Sequence, residues 1–298
     1  MRLTFAATMS DVYDGIQNAG ARMLTFQRQV STGMRVTQPS DDPSAMAAAI
    51  TEKGSMASYT QYTQAGDSAE SRLTVADTIL SDIIDKLSAA RTTILSVQGS
   101  NTTPAQAQTG AQELGSLRDA VLEDLNTKFN GTYMFGGAAG TVRPYVKNVA
   151  GAVQPYAGST RQVSVEVDRG RSVTIAFDGS ALAQGGDPAD LFAAFQDAID
   201  AALTGDADRL GVASGDLQRA FDRATQAQSS VGTDLRAITD HQGQLANASR
   251  ASKARVSSLE EANMAEAITG LQQAETAYQA SLGAAARTAR LSLFDYLR

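Results

Sequence analysis

Cysteine and tryptophan are absent from this 298-residue chain, and histidine occurs once. The first absence removes disulfides, thiolate nucleophiles and the commonest structural zinc sites, and leaves the redox compartment unread. Aromatic residues make up only 6%, which is light for a compact enzyme core. No long hydrophobic run exists either: Ala45 to Ile50 is the longest found, far short of the roughly 20 residues that a spanning helix requires. A soluble chain is expected. Basic residues are outnumbered 25 to 32, for a net charge of -7. No basic stripe is available for a phosphate backbone, so a nucleic-acid partner is not expected. Met1 to Ser10 carry no cleavable-signal pattern before Asp11 and Asp14 intervene, so signal-peptide secretion is not expected.

What is present suits helices. Apolar content of 43% is enough for a core, and abundant Ala, Ser, Gln and Thr favour long helices packed through small side chains. Val12, Ile16, Ala19, Met23, Phe26 and Val30 follow steps of four and three, the spacing that keeps one helical stripe against a partner helix. That helix stops near Gly33. Pro39, Ser40, Asp41, Asp42 and Pro43 then form a loop whose carboxylates sit at the positive end of a following helix. The second helix carries the cleanest register, through Leu73, Ala76, Leu80, Ile83, Leu87, Ala90, Ile94 and Val97. A third, after Pro104, carries Leu114, Leu117, Val121 and Leu125 and is expected to end near Asn130-Gly131.

Helical texture then disappears until about Gly186. Val163, Val165 and Val167 alternate with polar residues, and Val173, Ile175 and Phe177 repeat the alternation after Gly170, which predicts a hairpin within a small β insertion. Helices return at Asp187-Pro188, with Leu191, Phe192, Phe195, Ile199 and Leu203 on one face, and again from about Ser214. Val231, Leu235, Ile238, Gln242 and Leu245 set one heptad stripe. Ile268, Leu271, Glu275, Tyr278, Leu282 and Ala285 set another near the end, followed by Leu293 and Phe294. The expected fold class is mainly α with a small β insertion, with long antiparallel coiled-coil helices from both chain ends and a central β-rich domain.

Both ends are poor in charge. Residues 1–30 hold only Arg2, Asp11, Asp14, Arg22 and Arg28, and residues 265–298 only Glu266, Glu275, Arg287, Arg290, Asp295 and Arg298. A solitary helical pair surrounds its seam with charge, so sparse charge implies cover by neighbouring molecules on other faces. Such segments are marginal helices alone in water, and are expected to gain their order on assembly. The two stripes are the candidate assembly interface.

No arrangement suited to catalysis emerges. Asp41 and Asp42 could pair for acid-base work, but their place before a helix favours capping. His241 lies among Asp240, Gln242 and Gln244 without a second metal ligand at suitable spacing, and reads as a solvated helix position. No Gly-x-Ser-x-Gly elbow occurs, and the glycines of Gly131 to Gly140 lack the Lys-Ser/Thr of a P-loop, so a tight turn is expected there. Tyr133, Phe135, Tyr145 and Tyr156 read as packing of the β region. Residues 138–186 hold no His or Cys. No enzyme activity, cofactor or metal is expected.

Three stretches, Gln27 to Asp42 (QRQVSTGMRVTQPSDD), Asn130 to Gly137 (NGTYMFGG) and Leu259 to Leu271 (LEEANMAEAITGL), with the ending LSLFDYL, resemble the flagellin superfamily. The Pro-flanked Asp41-Asp42 pair and the C-terminal motif are similar to its hook-associated members; filament flagellin, the alternative, typically has an Asp-Asp-Ala-Ala stretch there. The resemblance covers the terminal thirds and not the insertion. It singles out Ser31, Thr32, Gly33, Asp41 and Asp42 as a motif loop. It implies a structural subunit of the bacterial flagellum, located outside the cell at the hook-filament junction and exported through the hollow growing organelle by the type III apparatus. The implied partners are copies of itself, a hook-side junction protein, filament flagellin and a cytoplasmic export chaperone. The implied layout is an inner domain of residues 1–33 with 265–298, a helical bundle with a short β-hairpin of 34–137 with 187–264, and an outer β-rich domain of 138–186.

Overall fold

The structure, a computed structural model, describes the backbone of residues 2–99, 102–149, 151–188 and 190–296, and side chains over the same ranges except 2–6, 8 and 288–296. In chain order the elements are α1 (Arg2–Thr32), α2 (Pro43–Val97), α3 (Pro104–Leu125), β1 (Lys128–Phe129), β2 (Thr132–Tyr133), β3 (Val163–Asp168), β4 (Arg171–Ala176), α4 (Gly179–Ala183), α5 (Leu191–Thr204), α6 (Ala207–Glu260) and α7 (Met264–Tyr296). The predicted class, mainly α with a small β part, is borne out. Among the described residues, no helix is long and apolar enough to cross a membrane.

Contacts group the chain into two compact units, Met1–Tyr59 with Asn247–Arg298, and Thr60–Ala246. The second holds the main core. Leu73, Ala76, Leu80, Ile83, Leu87, Ala90 and Ile94 of α2 are all fully buried, so the three-four register is a real core stripe. Against it lie Leu114, Val121 and Leu125 of α3, Leu191 and Phe195 of α5, and Leu210, Ala213, Leu217, Ala220 and Ala224 of α6. Of the predicted α5 face, Ile199 is half-buried and Leu203 exposed. Val231, Ile238 and Leu245 of the α6 stripe are buried.

Local chemistry sets the boundaries. Thr103 and Gln106 form a reciprocal capping box at the start of α3, where Pro104 supplies a helix-ready φ. Asp190 accepts from the Ala193 N–H at 2.7 Å and starts α5, and Gly205, at φ +70, ends it. The expected helix stop at Asn130-Gly131 is a correction. α3 ends at Leu125, and these two residues, at φ +48 and +81, instead turn the β1–β2 hairpin. Asn-Gly is the favoured pair for such a two-residue turn. α6 likewise starts earlier than Ser214, at Ala207.

β3 and β4 pair antiparallel around Arg169-Gly170, with irregularities between Val163 and Ser164 and between Glu166 and Asp168. Their inner side chains Val167 and Val173 join Tyr145, Leu182 and the helices in one continuous apolar cluster. Arg72 of α2 ties this region down: its Nε donates to the Ile175 carbonyl, its Nη1 to Thr132 Oγ1 at 3.0 Å, and its guanidinium stands 5.8 Å from the Phe129 ring centre.

Candidate assembly surface

The first unit is built on α1 and α7, which pack side by side and antiparallel. Gly270 lies under the Phe26 ring, where an added Cβ would come within 2.6 Å of it, and a Cβ added at Gly20 would stand 3.4 Å from the Tyr278 ring. The predicted α1 stripe faces the partner: Val12, Ile16, Ala19, Met23, Phe26 and Val30 are all half-buried. On α7, Leu271, Tyr278 and Ala285 are half-buried, but Ile268 and Leu282 remain 45% and 44% exposed. The buried residues there are Ala267 and Ala274. The seam therefore runs through small residues that pattern reading missed; their own three-four spacing with Gly270 was the available signal. Leu293 and Phe294 have side chains outside the described residues.

Apolar side chains left open by this pairing form a second stripe on each helix. On α1 these are Met9, Tyr13 and Leu24, with Tyr13 62% and Leu24 59% exposed; on α7 they are Met264, Ile268 and Leu282. At about 100° per residue, each set lies about 90° around its helix from the seam. A groove of about 420 Å³ beside the seam is lined by Gly15, Ala19, Phe26, Gly270, Ala274 and neighbours.

The motif loop links the end of α1 to the start of α2. Ser31 and Thr32 donate their hydroxyls to the Arg28 carbonyl at 3.0 and 2.8 Å, and Gly33 closes α1 at φ +71. Asp41 Oδ2 accepts from the N–H groups of Thr37 and Gln38 at 3.0 and 3.1 Å and from the Thr37 hydroxyl. Asp42 Oδ1 accepts from the Ala45 N–H at 3.0 Å, capping α2, while its Oδ2 accepts from Arg35. Those bonds hold both carboxyls at about 2, chiefly through the Thr37 N–H for Asp41 and the Ala45 N–H for Asp42. Every strong acceptor position has a local donor, so the pair is built for capping and turn geometry.

This loop is bound to the break between α6 and α7. The N–H groups of Arg35 and Val36 donate to the Glu260 carbonyl at 2.7 and 3.3 Å, and that of Ala262 to the Gly33 carbonyl at 2.9 Å. Arg35 Nη2 donates to the Leu259 carbonyl, and the buried Glu260 carboxylate pairs with Lys53 at 2.6 Å. Arg255 holds Glu52 through two parallel bonds of 2.7 and 2.9 Å.

Elsewhere, the aromatic group belongs to the packed interior of the second unit. Tyr145 lies 5.0 Å from Phe192 and 5.4 Å from Tyr156, and burial pushes its phenol well above the usual range. Phe135 is fully buried, and Tyr133 and Tyr156 are half-buried. Gly137, at φ +56, makes the expected tight turn. The reading of His241 as solvated needs correction: its side chain is 14% exposed, because the β3–β4 tip folds over it. Among the described residues, no group of three or more His, Asp or Glu is placed to hold a metal ion.

Residues 6–139 match the family described as the bacterial flagellin N-terminal helical region. The chain is 27% identical over 183 residues to flagellar hook-associated protein 3 of Salmonella typhimurium, covering 61% of this chain and 56% of that protein. It is 28% identical over 169 residues to the Escherichia coli protein of the same name, covering 56% and 52%. The chain thus aligns with about half the length of these curated relatives. Among solved structures, FlgL of Bacillus cereus superposes with a TM-score of 0.60 at 17% identity, over 70% of this chain and 99% of that one. The flagellar junction protein FlgL of Legionella pneumophila gives 0.61 at 15%, over 72% and 100%. These likenesses bear out the fold, and the first bears out the flagellin resemblance drawn from the sequence motifs.

Proposed function

We propose that this chain is a non-enzymatic structural subunit of the bacterial flagellum that forms the junction between hook and filament, assembling through its paired terminal helices. The observation that carries this reading is the second apolar stripe on each of α1 and α7. The pair fully buries only Ala267 and Ala274 among its described apolar side chains on these two helices, and leaves Tyr13, Leu24, Ile268 and Leu282 open. Two helices with a half-buried seam and one open apolar face each are suited to packing between like neighbours. Relatives named as hook-associated protein 3 support the location.

On this reading the partners are further copies of the chain, a hook-side junction protein, filament flagellin and, before export, a cytoplasmic chaperone. Export proceeds through the growing organelle without signal-peptide cleavage. Residues 1–33 with 265–298 serve as the inner assembly domain, 34–137 with 187–264 as the helical bundle, and 138–186 as the outward part. Antibody labelling of isolated flagella under the electron microscope tests it. A single band between hook and filament is expected; label along the filament would identify a filament flagellin instead, and absence of label from flagella would overturn the proposal.

A further inference from the structure

The only histidine of the chain is held between two oppositely charged side chains from the tip of the β3–β4 hairpin. Arg171 Nη1 meets His241 Nε2, and Asp168 Oδ2 stands 3.3 Å from His241 Nδ1, off the line of a hydrogen bond. A guanidinium has donors only, so the contact with Arg171 requires Nε2 to be the bare, accepting nitrogen. The neutral ring then carries its proton on Nδ1, beside the Asp168 carboxylate. We infer that His241 is a proton-sensitive catch that holds the Arg171 side chain of the β3–β4 tip while the imidazole is neutral and frees it when the ring becomes charged, leaving Asp168 as the tie between ring and tip.

The effect of a proton on this contact follows from the donor count. Protonation places an N–H on Nε2, which destroys the acceptor for Arg171 and sets two cations in contact. It also strengthens attraction to Asp168, so the ring keeps one partner and loses the other. The other charged groups of this stretch are Glu166 and Arg169 of the tip, Asp67 and Glu70 of α2 and Asp240 of α6. Glu166 of β3 accepts from the Gly170 N–H at 2.9 Å, and Asp67 and Glu70 of α2 accept from the Gln242 amide at 2.7 and 3.3 Å. Asp240 precedes the ring on α6 itself. Arg171 is exposed on its outer side, so water receives it once released. The turn itself is open: a Cβ added at Gly170, at φ +76, would meet nothing within 4 Å.

The test is hydrogen exchange on the full chain, read at the Arg171 guanidinium N–H groups and corrected for intrinsic pH dependence. Between buffers that leave the imidazole neutral and buffers that charge it, protection of those groups is expected to fall about tenfold, the equivalent of losing one charge-assisted hydrogen bond. In His241→Gln the fall is expected to vanish. An equal fall in both chains, or none in the unsubstituted chain, overturns the inference. Nitrogen NMR of the unsubstituted chain is independent of any folding defect in the variant: the neutral ring is expected to carry its proton on Nδ1, and a predominant Nε2–H form overturns the inference.

Discussion

Replacing Gly137 by alanine separates two physical costs that a second glycine in the same region isolates. Gly137 sits at φ +56, and an added Cβ would fall 1.8 Å from the Ser159 carbonyl oxygen and 2.9 Å from that of Arg161. Both are backbone atoms and cannot rotate away. The left-handed conformation costs a residue with a side chain about 1–2 kcal/mol. To clear the clash, the segment of residues 159–161 must move off the turn, which breaks the bonds from the Ala138 N–H to the Arg161 carbonyl at 2.8 Å and from the Ser159 N–H to the Gly136 carbonyl at 3.0 Å. At about 1 kcal/mol net for each bond, the total reaches about 3–4 kcal/mol. Gly131 is also left-handed, at φ +81, but meets nothing within 4 Å. Gly131→Ala should therefore cost only the conformational part, about 1–2 kcal/mol. Urea unfolding of the full chain, followed by circular dichroism, compares the two through their midpoints at unchanged slope. Equal destabilisation by both substitutions would refute the packing of residues 159–161 on this turn.

Three further outcomes follow from the first unit. The Asp41 and Asp42 carboxyls, lowered from 3.8 to about 2, stabilise the loop fully above about pH 4 and lose that contribution as pH falls through 2; carbon NMR titration should show both midpoints near 2, and ordinary midpoints would contradict the capping bonds. On the proposed reading, in which the ends gain their order on assembly, removing residues 1–33 and 265–298 should cost the free chain little helical circular dichroism despite helices of 31 and 33 residues; a large loss would contradict this. The double substitution Tyr13→Glu and Leu24→Glu, at sites 62% and 59% exposed, should shift the free chain's stability by no more than about 0.5 kcal/mol yet abolish incorporation into flagella; normal incorporation would remove the role of the second stripe.

The legibility of the sequence varied with the size of the side chains that carry each signal. The α2 stripe was readable because Leu and Ile recur at three-four steps and all end buried. The α7 seam was displaced because Ala267, Gly270 and Ala274 are weakly hydrophobic in pattern, whereas bulky Ile268 and Leu282 draw the eye to an open face. Asn130-Gly131 signalled a left-handed backbone correctly, but such a backbone serves a helix end and a hairpin turn alike. Nothing local marked His241, whose partner Arg171 lies 70 residues away. The loop was better exposed to reading: Asp41 and Asp42 bond within a few residues of themselves, and that range is what sequence reasoning covers.

At one level of the first unit, both passing strands of chain interrupt their helices together. α1 gives way to the motif loop at Thr32 and α6 to α7 after Glu260, with Met34 bridged to Glu261 between them. Flexing there ruptures no intrahelical ladder; resistance comes from a handful of ties, the bonds to the Glu260, Leu259 and Gly33 carbonyls and the Lys53 ion pair among them. Bending of this unit is thereby expected to concentrate at that break instead of spreading along the continuous helices on either side of it.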